Sequence, residues 1–475
     1  MLNKTALDRL IQNVGSRNVY HEKEDLLVYG YDSTPEILGM PDVVVFPENV
    51  EALQAALAVG RDEGLAVTPR GAATGLSGGS IPVEGGMVIG LTRMNRILEI
   101  DEENLTATAE AGVITIDLFN AAAAKGLFYP PDPGSQNVST LGGNVAENAG
   151  GLRGLKYGVT RNYVMGLSGL LYDGTEFTAG GKCVKDVAGY SLRDLLVGSE
   201  GTLGLITEVT VRLISPPQDK RTLLAYFRDI RTAGDAVSRI IAARIIPATL
   251  EIMDRTTINC VEDYAGIGLP REMAALLLIE VDGHPAAVAE EAQGVRNVLE
   301  EVRAAEIHEA RNAEEAARLA SARRTALSAV ARVSPTTILE DATVPRSRLA
   351  ETFAEIERLK EKYQVRVATY GHAGDGNLHP TAVADERNRR EIENVHAFFS
   401  ELYEKVLSMG GTVSGEHGIG MAKKDYLLRQ FGEGGMGVMR RIKKSFDPDG
   451  RLNPGKIFLD GPASSATRVS GGAHG

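Results

Sequence analysis

Cysteine and tryptophan are the scarcest residue types in this sequence. Among 475 residues the only cysteines are Cys183 and Cys260, and there is no tryptophan. The two cysteines are far apart and form no C-x-x-C motif, so a disulfide framework, a cysteine zinc site and a cysteine-ligated iron–sulfur cluster are all unsupported. We therefore expect a protein of a reducing compartment, the cytoplasm.

Long apolar runs and an excess of positive charge are also lacking. The longest apolar runs, such as residues 274–279, fall far below the roughly 18 residues of a membrane span. The opening MLNKTALDRLIQNVG places charges among apolar residues at helical spacing, which predicts a helix and argues against a signal peptide. With 51 Lys and Arg against 63 Asp and Glu, the net charge of −12 disfavours nucleic acids and anionic membrane surfaces as primary ligands.

The length predicts two or three domains, at about 150 residues each. A strand at 43–46, a helix from about 50 and a strand at 65–68 form a small βαβ unit. Near residue 217 the pattern of predicted elements changes. Two rounds of the split βαβ order follow, which predict an antiparallel sheet with helices on one face. The strands expected there are 223–227, 248–253, 276–281, 337–341, 365–370 and 378–384, and the helices are 230–244, 285–303, 347–363 and 388–409.

Glycine is abundant in the first half, in segments 70–90, 130–158 and 178–204. Stretches this rich in glycine, interleaved with apolar strands, are typical of ligand-lining loops. The segment RGAATG, from Arg70 to Gly75, follows a predicted strand, and its backbone N–H groups can form a nest for a pyrophosphate. It is not G-x-G-x-x-G, so a nicotinamide Rossmann site is not indicated. Taken alone, an ordinary glycine turn is the competing interpretation.

Three of the eight histidines lie in two glycine-rich loops, GHAGDGNLH and SGEHGIG. His372 ends one predicted strand and His379 begins the next, so the turn between them brings both imidazoles to one mouth of the sheet. Adding a carboxylate gives a His, His, Glu set with open positions, suited to zinc, iron or manganese. Because Glu416 and His417 are adjacent and do not easily point the same way, we assign Glu416 to the metal and His417 to base chemistry. Histidines that serve only the core or the surface are the competing interpretation.

The sequence motifs resemble a known family and occur in its order: PRGAATGLSGG, PPDPGS, TLGGNVAENAGG, GSEGTLG, GHAGDGNLH, SGEHGIG and DPDGRLNPGK. Residues 40–215 resemble the FAD-binding domain of the vanillyl-alcohol oxidase superfamily, and residues 218–457 resemble its FAD-linked oxidase C-terminal domain. The chain is most similar to the glycolate oxidase large subunit and D-lactate dehydrogenase branch.

The resemblance implies an α+β fold, with a two-part FAD-binding domain of the vanillyl-alcohol oxidase type and a ferredoxin-like antiparallel-sheet substrate domain. On this basis we expect the following parts: an N-terminal helical segment 1–37, the FAD-binding domain 38–217, the substrate domain with the metal site 218–420, C-terminal helices returning to the FAD domain 421–460, and a disordered tail 461–475.

The resemblance also implies which residues bind FAD. The expected set is Arg70, Gly71, Ala72, Ala73, Thr74, Gly75 and Ser77 at the pyrophosphate, Pro131, Asp132, Ser135, Thr140, Gly142 and Asn144 on the flavin side, Gly204 and Ile206 at the adenosine, and Asn453 returning to the flavin. Covalent relatives tether the flavin through a histidine in the first loop. Because this loop has Thr74 and no histidine or cysteine, non-covalent FAD is expected.

For the substrate, the resemblance implies metal ligands at His372, His379 and Glu416, a base at His417, and a carboxylate-binding arginine at Arg323. A guanidinium can hold a carboxylate bidentately, whereas the neighbouring Arg324 is read as part of a solvated helix face and Asp375 as a turn residue. Relatives that oxidise a dicarboxylate carry lysine near Leu339, so a small D-2-hydroxy acid, D-lactate or glycolate, is expected. In the hypothesis the metal binds the hydroxyl, His417 removes its proton, and the C2 hydrogen passes as hydride to flavin N5.

The electrons then require an acceptor, since the chain has no cysteine cluster. The branch offers an iron–sulfur subunit, electron-transferring flavoprotein or a soluble dye-like acceptor, and the chain is either free or peripheral to the membrane through such a partner. The oligomeric state is left open, a homodimer included. Two other functions compete with this one. A zinc-dependent hydrolase would leave the glycine-rich half of the chain unexplained. A non-redox FAD-binding accessory subunit is disfavoured by the intact histidine motifs.

Overall fold

The computed structural model describes residues 2–459, so the tail expected at 461–475 lies outside the described residues. The helices, in chain order, are α1 (Lys4–Val14), α2 (Lys23–Leu27), α3 (Val50–Asp62), α4 (Thr115–Ala123), α5 (Leu141–Glu147), α6 (Gly154–Tyr157), α7 (Leu192–Leu196), α8 (Ile230–Ala242), α9 (Arg255–Ala265), α10 (Pro285–Glu301), α11 (Ala313–Arg324), α12 (Ala326–Val330), α13 (Leu349–Tyr363), α14 (Arg389–Ser408) and α15 (Lys424–Phe446).

The strands, in chain order, are β1 (Val19–Tyr20), β2 (Val43–Val45), β3 (Val67–Arg70), β4 (Met87–Gly90), β5 (Ile97–Asp101), β6 (Thr106–Glu110), β7 (Val164–Leu170), β8 (Glu176–Gly180), β9 (Leu205–Arg212), β10 (Asp219–Phe227), β11 (Thr249–Asp254), β12 (Ala275–Gly283), β13 (Glu306–Glu309), β14 (Thr336–Leu339), β15 (Ala342–Thr343), β16 (Arg366–His372) and β17 (Asn377–Ala384).

The chain folds as two compact units. The first takes in the described parts of Met1–Ala149, Val159–Ser215 and Glu416–Gly475, and the second takes in Gly150–Gly158 and Pro216–Gly415. The short segment 150–158 is held in the second unit by Asp282, whose carboxylate accepts hydrogen bonds from Lys156 Nζ (2.6 Å) and Tyr157 Oη (2.7 Å).

Two sheets build the first unit. Within the described residues the smaller sheet has the order β1–β2–β4–β3, in which β2, β4 and β3 run parallel. Helix α3 connects β2 to β3 and begins at Asn49, whose side chain accepts the N–H of Ala52, so the predicted βαβ unit is confirmed. The larger sheet is antiparallel, with the order β5–β6–β9–β7–β8.

The second unit is built on one antiparallel sheet. Over the described residues its order is β13–β10–β12–β11–β16–β17–β14, with β15 also paired to β17. The prediction that helices cover only one face of this sheet is wrong. Leu224, Leu276 and Leu278 pack with α9 and α12 on one side, while the alternate residues Leu223 and Ile279 are equally buried. Both faces are covered because these strands are continuous apolar runs, with no polar alternation to leave one face in water.

Four elements of the second unit were not predicted: α6, α9, β13 and β15. Helix α9 follows β11 directly, starting at Asp254, whose carboxylate accepts the N–H of Thr257 at 2.7 Å, and ending at Gly266 in a left-handed conformation. Strand β13 is the edge strand beside β10. No helix within residues 2–459 is both long enough and apolar enough to cross a membrane.

Candidate active site

In the first unit the glycine-rich motifs converge on Asn453. Its Nδ2 atom donates to the backbone carbonyl of Gly79 at 2.9 Å and to that of Glu200 at 2.7 Å. The carbonyl of Ser77 in turn accepts the N–H groups of Met421 (2.7 Å) and Ala422 (3.1 Å). Segments that are far apart in sequence therefore meet around one buried asparagine side chain.

Thr140 joins the first glycine loop to the TLGGNVAENAGG motif. It begins α5 and accepts the N–H of Gly143 through Oγ1 at 3.2 Å, and a Cβ on Gly71 would lie only 2.4 Å from the same oxygen. One turn later, Asn144 donates from Nδ2 to Thr115 Oγ1 at 2.7 Å. Glycine at position 71 is thus required by the close approach of the two loops.

All the residues predicted to bind FAD lie in the first unit. Those that are buried are Arg70, Ser77, Pro131, Asp132, Thr140, Gly142, Asn144, Gly204, Ile206 and Asn453, and those that are half-buried are Gly71, Ala72, Ala73, Thr74, Gly75 and Ser135. The side chain of Arg70 donates to the backbone carbonyl of Tyr31 at 2.8 Å and to that of Ser80 at 3.3 Å. Its guanidinium therefore anchors the N-terminal segment.

The polar atoms of this region fit a bound dinucleotide. Ser77 Oγ, Ser199 Oγ and Asn453 Oδ1 are buried, and within residues 2–459 none of these three atoms has a hydrogen-bond partner. Such atoms normally find partners. The backbone is left-handed at Ala73 (φ 57°), Glu200 (φ 52°) and Asn453 (φ 43°), and strain of this kind clusters at ligand sites. The motifs therefore leave buried hydrogen-bonding capacity for a ligand such as FAD.

The SGEHGIG loop is fixed by Glu200. Its carboxylate accepts the N–H of Ile419 at 2.7 Å and that of Gly420 at 2.6 Å. Gly418 has φ +81°, and a Cβ there would lie 2.3 Å from Glu147 Oε2 and 3.2 Å from Glu200 Oε1. Two acids, the half-buried Glu147 and the buried Glu200, thus enclose the turn that follows His417.

Glu416 and His417 are the first residues of the last segment of this unit. Their side chains are 15% and 10% exposed, and Glu416 Oε1 lies 3.9 Å from His417 Nε2. The expectation that these adjacent side chains diverge is therefore wrong. Gly418, which follows them directly, has a left-handed backbone with φ 81°.

The acids around this loop have raised pKa values. Burial raises the pKa of Glu147 well above its usual range, and the nearby charges of Glu200 and Asp32 add to the effect. Burial also raises the pKa of Glu200, although the hydrogen bonds from Ile419 and Gly420 oppose the shift. A protonated Glu147 is the state that this environment favours.

In the second unit the structure brings His372 and His379 together. Strands β16 and β17 pair so that Tyr370 lies opposite His379 and His372 opposite Asn377. The two rings have centroids 5.0 Å apart at 89°, and one nitrogen of each lies within 4.8 Å of the other. Both side chains are buried, at 6% and 4% exposure. The glycine turn between the strands therefore places two imidazoles where they can share one ion.

Glu251 was not predicted as a site residue. It lies on β11, which pairs with β16 so that Ile252 is opposite Gly371. Its Oε1 atom is 2.6 Å from His372 Nδ1, and its Oε2 atom is 2.6 Å from Arg323 Nη2. Burial alone would raise the pKa of Glu251, but Arg323 and His372 outweigh it and lower the pKa below its usual value.

Arg323 lies at the end of α11, buried at 5% exposure, with its guanidinium 5.0 Å from the centre of the Tyr370 ring. Its Nε atom is buried and donates no hydrogen bond to any residue between positions 2 and 459. The next residue, Arg324, is exposed. A buried N–H of a guanidinium is a ready donor to a carboxylate ligand.

Asp341 is a second acid that the sequence did not single out. It is fully buried, one of its oxygens lies within 4.8 Å of a His379 nitrogen, and Oδ2 accepts hydrogen bonds from Ser414 Oγ (2.9 Å) and the N–H of Gly415 (2.8 Å). Asp375, by contrast, accepts the N–H of Asn377 at 3.2 Å, which is the turn role proposed for it.

The donor set of the second unit fits a divalent metal. When Nδ1 of a histidine donates to a carboxylate, its Nε2 is left as a ligand, and this arrangement is usual behind metal-bound histidines. Glu251 and His372 have that geometry, with His379 beside them. Two imidazoles with a buried acid nearby suit zinc, iron or manganese.

Comparison with known proteins assigns both units. Residues 41–180 match the model of an FAD binding domain, and residues 216–457 match that of the FAD linked oxidases, C-terminal domain. The chain belongs to the FAD-linked oxidase family. It is 50% identical over 458 residues to the glycolate oxidase subunit GlcD of Bacillus subtilis, covering 96% of this chain and 97% of that protein. It is 37% identical over 434 residues to the D-lactate dehydrogenase of Archaeoglobus fulgidus, covering 90% and 95%.

Solved structures confirm the fold of this FAD-linked oxidase. A substrate-bound p-cresol methylhydroxylase superposes with a TM-score of 0.80 at 16% identity, covering 96% of both chains. An alkyldihydroxyacetonephosphate synthase gives 0.76 at 17% identity, covering 96% of this chain and 86% of the other. The predicted α+β fold is therefore confirmed, and the family matches make the chain an FAD-linked oxidoreductase. This assignment overrides the interpretation as a zinc-dependent hydrolase.

Proposed function

We propose that this protein oxidises a small D-2-hydroxy acid, D-lactate or glycolate, to the 2-oxo acid and passes the electrons to a partner protein. The observation that supports this most directly is the pairing of His372 with Arg323 through Glu251. A 2-hydroxy acid offers a hydroxyl and a carboxylate on adjacent carbons. In the second unit the imidazole proposed as a metal ligand and the guanidinium proposed to bind a carboxylate contact opposite oxygens of one side chain.

In this proposal Arg323 binds the substrate carboxylate. Its buried Nε atom and its stacking on Tyr370 fix the direction from which a carboxylate can approach. His372, His379 and Glu416 would hold a divalent cation, and a cation bound there lowers the pKa of the substrate hydroxyl. Glu416 directly follows Gly415, whose N–H is tied to Asp341 in the second unit, and this connection supports its assignment.

His417 is proposed as the base. It takes the hydroxyl proton while the carbon of the substrate loses its C2 hydrogen and two electrons, so that the C–O single bond becomes a carbonyl. FAD, when bound, accepts that hydrogen and the electron pair. The mostly buried imidazole and the rigid hold of Glu200 on the following residues are what a positioned base requires.

Leu339 supports a small substrate. This side chain packs against the apolar cluster that contains Tyr370, and as an aliphatic group it supplies no cation for a second carboxylate. A monocarboxylate therefore suits the site better than a dicarboxylate. The names of the relatives, glycolate oxidase subunit and D-lactate dehydrogenase, agree with this choice.

An electron-accepting protein completes the proposal. Cys183 and Cys260 cannot ligate an iron–sulfur cluster by themselves, and the Bacillus subtilis relative is named as a subunit. We propose that the acceptor is an iron–sulfur subunit or an electron-transferring flavoprotein.

Anaerobic bleaching of the flavin tests the function. The FAD-loaded, zinc-supplemented protein is mixed with D-lactate, L-lactate, glycolate and D-malate, and absorbance near 450 nm is followed. We expect D-lactate or glycolate to bleach the band, with L-lactate and D-malate far slower. If none of the four bleaches the flavin while dithionite does, the proposal fails in favour of a non-redox accessory subunit.

A further inference from the structure

Glu251 is a buried carboxylate in the middle of an apolar strand. Its neighbours Leu250 and Ile252 are fully buried, and Glu251 itself has 0% exposure. An ionised carboxylate in such a place is unfavourable unless it is paired on both oxygens. Here each oxygen has a different partner, His372 for Oε1 and Arg323 for Oε2, both at 2.6 Å.

The contact with His372 determines the tautomer of the ring. An acceptor on Nδ1 keeps the proton there and leaves the Nε2 lone pair for a metal ion. The register of β11 with β16, in which Ile252 is opposite Gly371, sets Glu251 beside His372. The carboxylate of Glu251 therefore helps to set the orientation of the imidazole.

The contact with Arg323 fixes the guanidinium from the other side. Its Nη2 atom lies 2.6 Å from Glu251 Oε2, and its central carbon lies over the ring of Tyr370, 5.0 Å from the ring centre. Among residues 2–459 neither Nε nor Nη2 makes a hydrogen bond, and Nη2 is engaged in the ion pair with Glu251, so Nε is the donor left for a ligand. The carboxylate thus sets the direction of the anion-binding group as well as that of the imidazole.

We propose that Glu251 is a positioning residue that links the two halves of the substrate site, so that its charge supports metal binding at His372 and carboxylate binding at Arg323 together. This inference rests on the proposed function, since it assigns Glu251 to the same metal and the same substrate. A simple buried ion pair would stabilise the fold without affecting metal affinity.

Replacing Glu251 by glutamine distinguishes a positioning residue from a simple buried ion pair. The amide has one acceptor and one NH₂ group. If its oxygen stays on Arg323, the NH₂ faces Nδ1 of His372, which must then accept, and the ring proton moves to Nε2, the metal-binding atom. If its oxygen stays on His372, the NH₂ opposes the guanidinium. In either orientation the imidazole loses the carboxylate charge behind it and the guanidinium loses its counter-charge, so both halves of the site are weakened.

The experiment measures Zn²⁺ affinity of FAD-loaded, metal-stripped protein by competition with a chelating dye, and then KM for the bleaching 2-hydroxy acid at saturating Zn²⁺. For E251Q we expect Zn²⁺ binding to weaken by about 10- to 100-fold and KM to rise about tenfold, with flavin content unchanged. The matched control is E280Q, an acid on β12 of the same sheet that bonds Lys220 and Thr222 and should change neither value.

A double variant keeps the test valid if E251Q does not fold. E251Q/R323Q removes both buried charges together, and its Zn²⁺ affinity should still fall at least tenfold, whereas R323Q alone should leave it near the wild-type value. Wild-type affinity for Zn²⁺ in both Glu251 variants overturns the inference. Failure of the wild-type protein to bind Zn²⁺ overturns the metal part of the proposed function itself, and this inference with it.

Discussion

One carboxylate oxygen of Glu200 accepts the backbone N–H of Gly420 at 2.6 Å, and the other accepts that of Ile419 at 2.7 Å. Glu200 belongs to the GSEGTLG motif and its backbone is held by Asn453. The loop that contains His417 is therefore anchored two and three residues after the proposed base. Charge-assisted hydrogen bonds of this kind are among the stronger ones in proteins.

The first prediction concerns Glu200→Gln. Glutamine can accept only one of the two N–H groups and presents an NH₂ to the other, so the free energy of unfolding should fall by about 2 kcal/mol. Loosening the loop should also slow flavin reduction by about tenfold or more at saturating substrate. Stopped-flow reduction and chemical denaturation measure the two effects. Glu208→Gln, a part-buried acid on β9 without a bond to this loop, is the control, and an unaltered reduction rate in E200Q would contradict the anchoring role.

The second prediction concerns pH and Glu147. Burial raises the pKa of this carboxyl well above its usual range, so the folded protein keeps its proton to higher pH than the unfolded chain does. Its contribution to stability is present at low pH and is lost as pH rises from about 4.3 through the folded pKa. Glu147→Gln removes this loss, so the melting temperature of the variant minus that of the wild type should grow with pH.

Thermal denaturation of the FAD-loaded protein from pH 5 to pH 9 measures that difference. For a unit of this size, each kcal/mol of change in the free energy of unfolding should shift the melting temperature by about 2–4 °C. The exposed acid Glu103 provides the control, because Glu103→Gln should give a difference that is flat with pH. A flat profile for E147Q as well would mean that Glu147 is ionised throughout.

The sequence was informative wherever function depends on local pattern. The glycine motifs and the two histidine loops are short segments, and the strand, turn, strand order around His372 and His379 was enough to predict that the imidazoles meet. The strand predicted at 65–68 is observed as β3, Val67–Arg70, which is two residues later. The first glycine loop follows it directly, from Gly71.

Glu251 and Asp341 could not be found in this way, because each is a single acid whose partners are set by tertiary pairing. Glu251 meets His372 only through the pairing of β11 with β16, across 121 residues. A signal did exist: one acid inside an otherwise apolar predicted strand, 248–253, must have a partner to be buried. The pattern indicates that a partner exists but not which residue it is.

The third prediction concerns Arg323→Lys. A lysine keeps the charge but not the fork that can face Glu251 and a substrate carboxylate at the same time. Loss of a charge-assisted hydrogen bond of about 1.5–3 kcal/mol corresponds to a KM about 10- to 100-fold higher, with less change in the limiting rate of flavin reduction. Arg324→Lys, at the exposed neighbouring position, should leave KM unchanged. A KM in R323K equal to that of the wild type would remove Arg323 from the carboxylate site.

The fourth prediction is that FAD is held without a covalent bond. The first glycine loop, residues 70–75, contains no histidine or cysteine that could form a tether, and the side chains of Ser77, Ser199 and Asn453 retain hydrogen-bonding atoms for a ligand. Precipitation with trichloroacetic acid should therefore release all the flavin into the supernatant, where its absorbance equals that of the native protein. Yellow colour or flavin fluorescence retained in the washed pellet would show a tether and would direct attention to another side chain.

The last prediction separates the base from the metal ligands. His417→Gln keeps a polar side chain of similar length but cannot take a proton, so flavin reduction by the 2-hydroxy acid should slow by about 10²- to 10⁴-fold, while flavin content and Zn²⁺ affinity stay near the wild-type values. His379→Gln should instead lose Zn²⁺ affinity, because an amide replaces an imidazole ligand. Metal analysis, flavin absorbance and anaerobic reduction of both variants distinguish the roles. If H417Q loses zinc as H379Q does, His417 is a ligand, and the assignments of Glu416 and His417 must be exchanged.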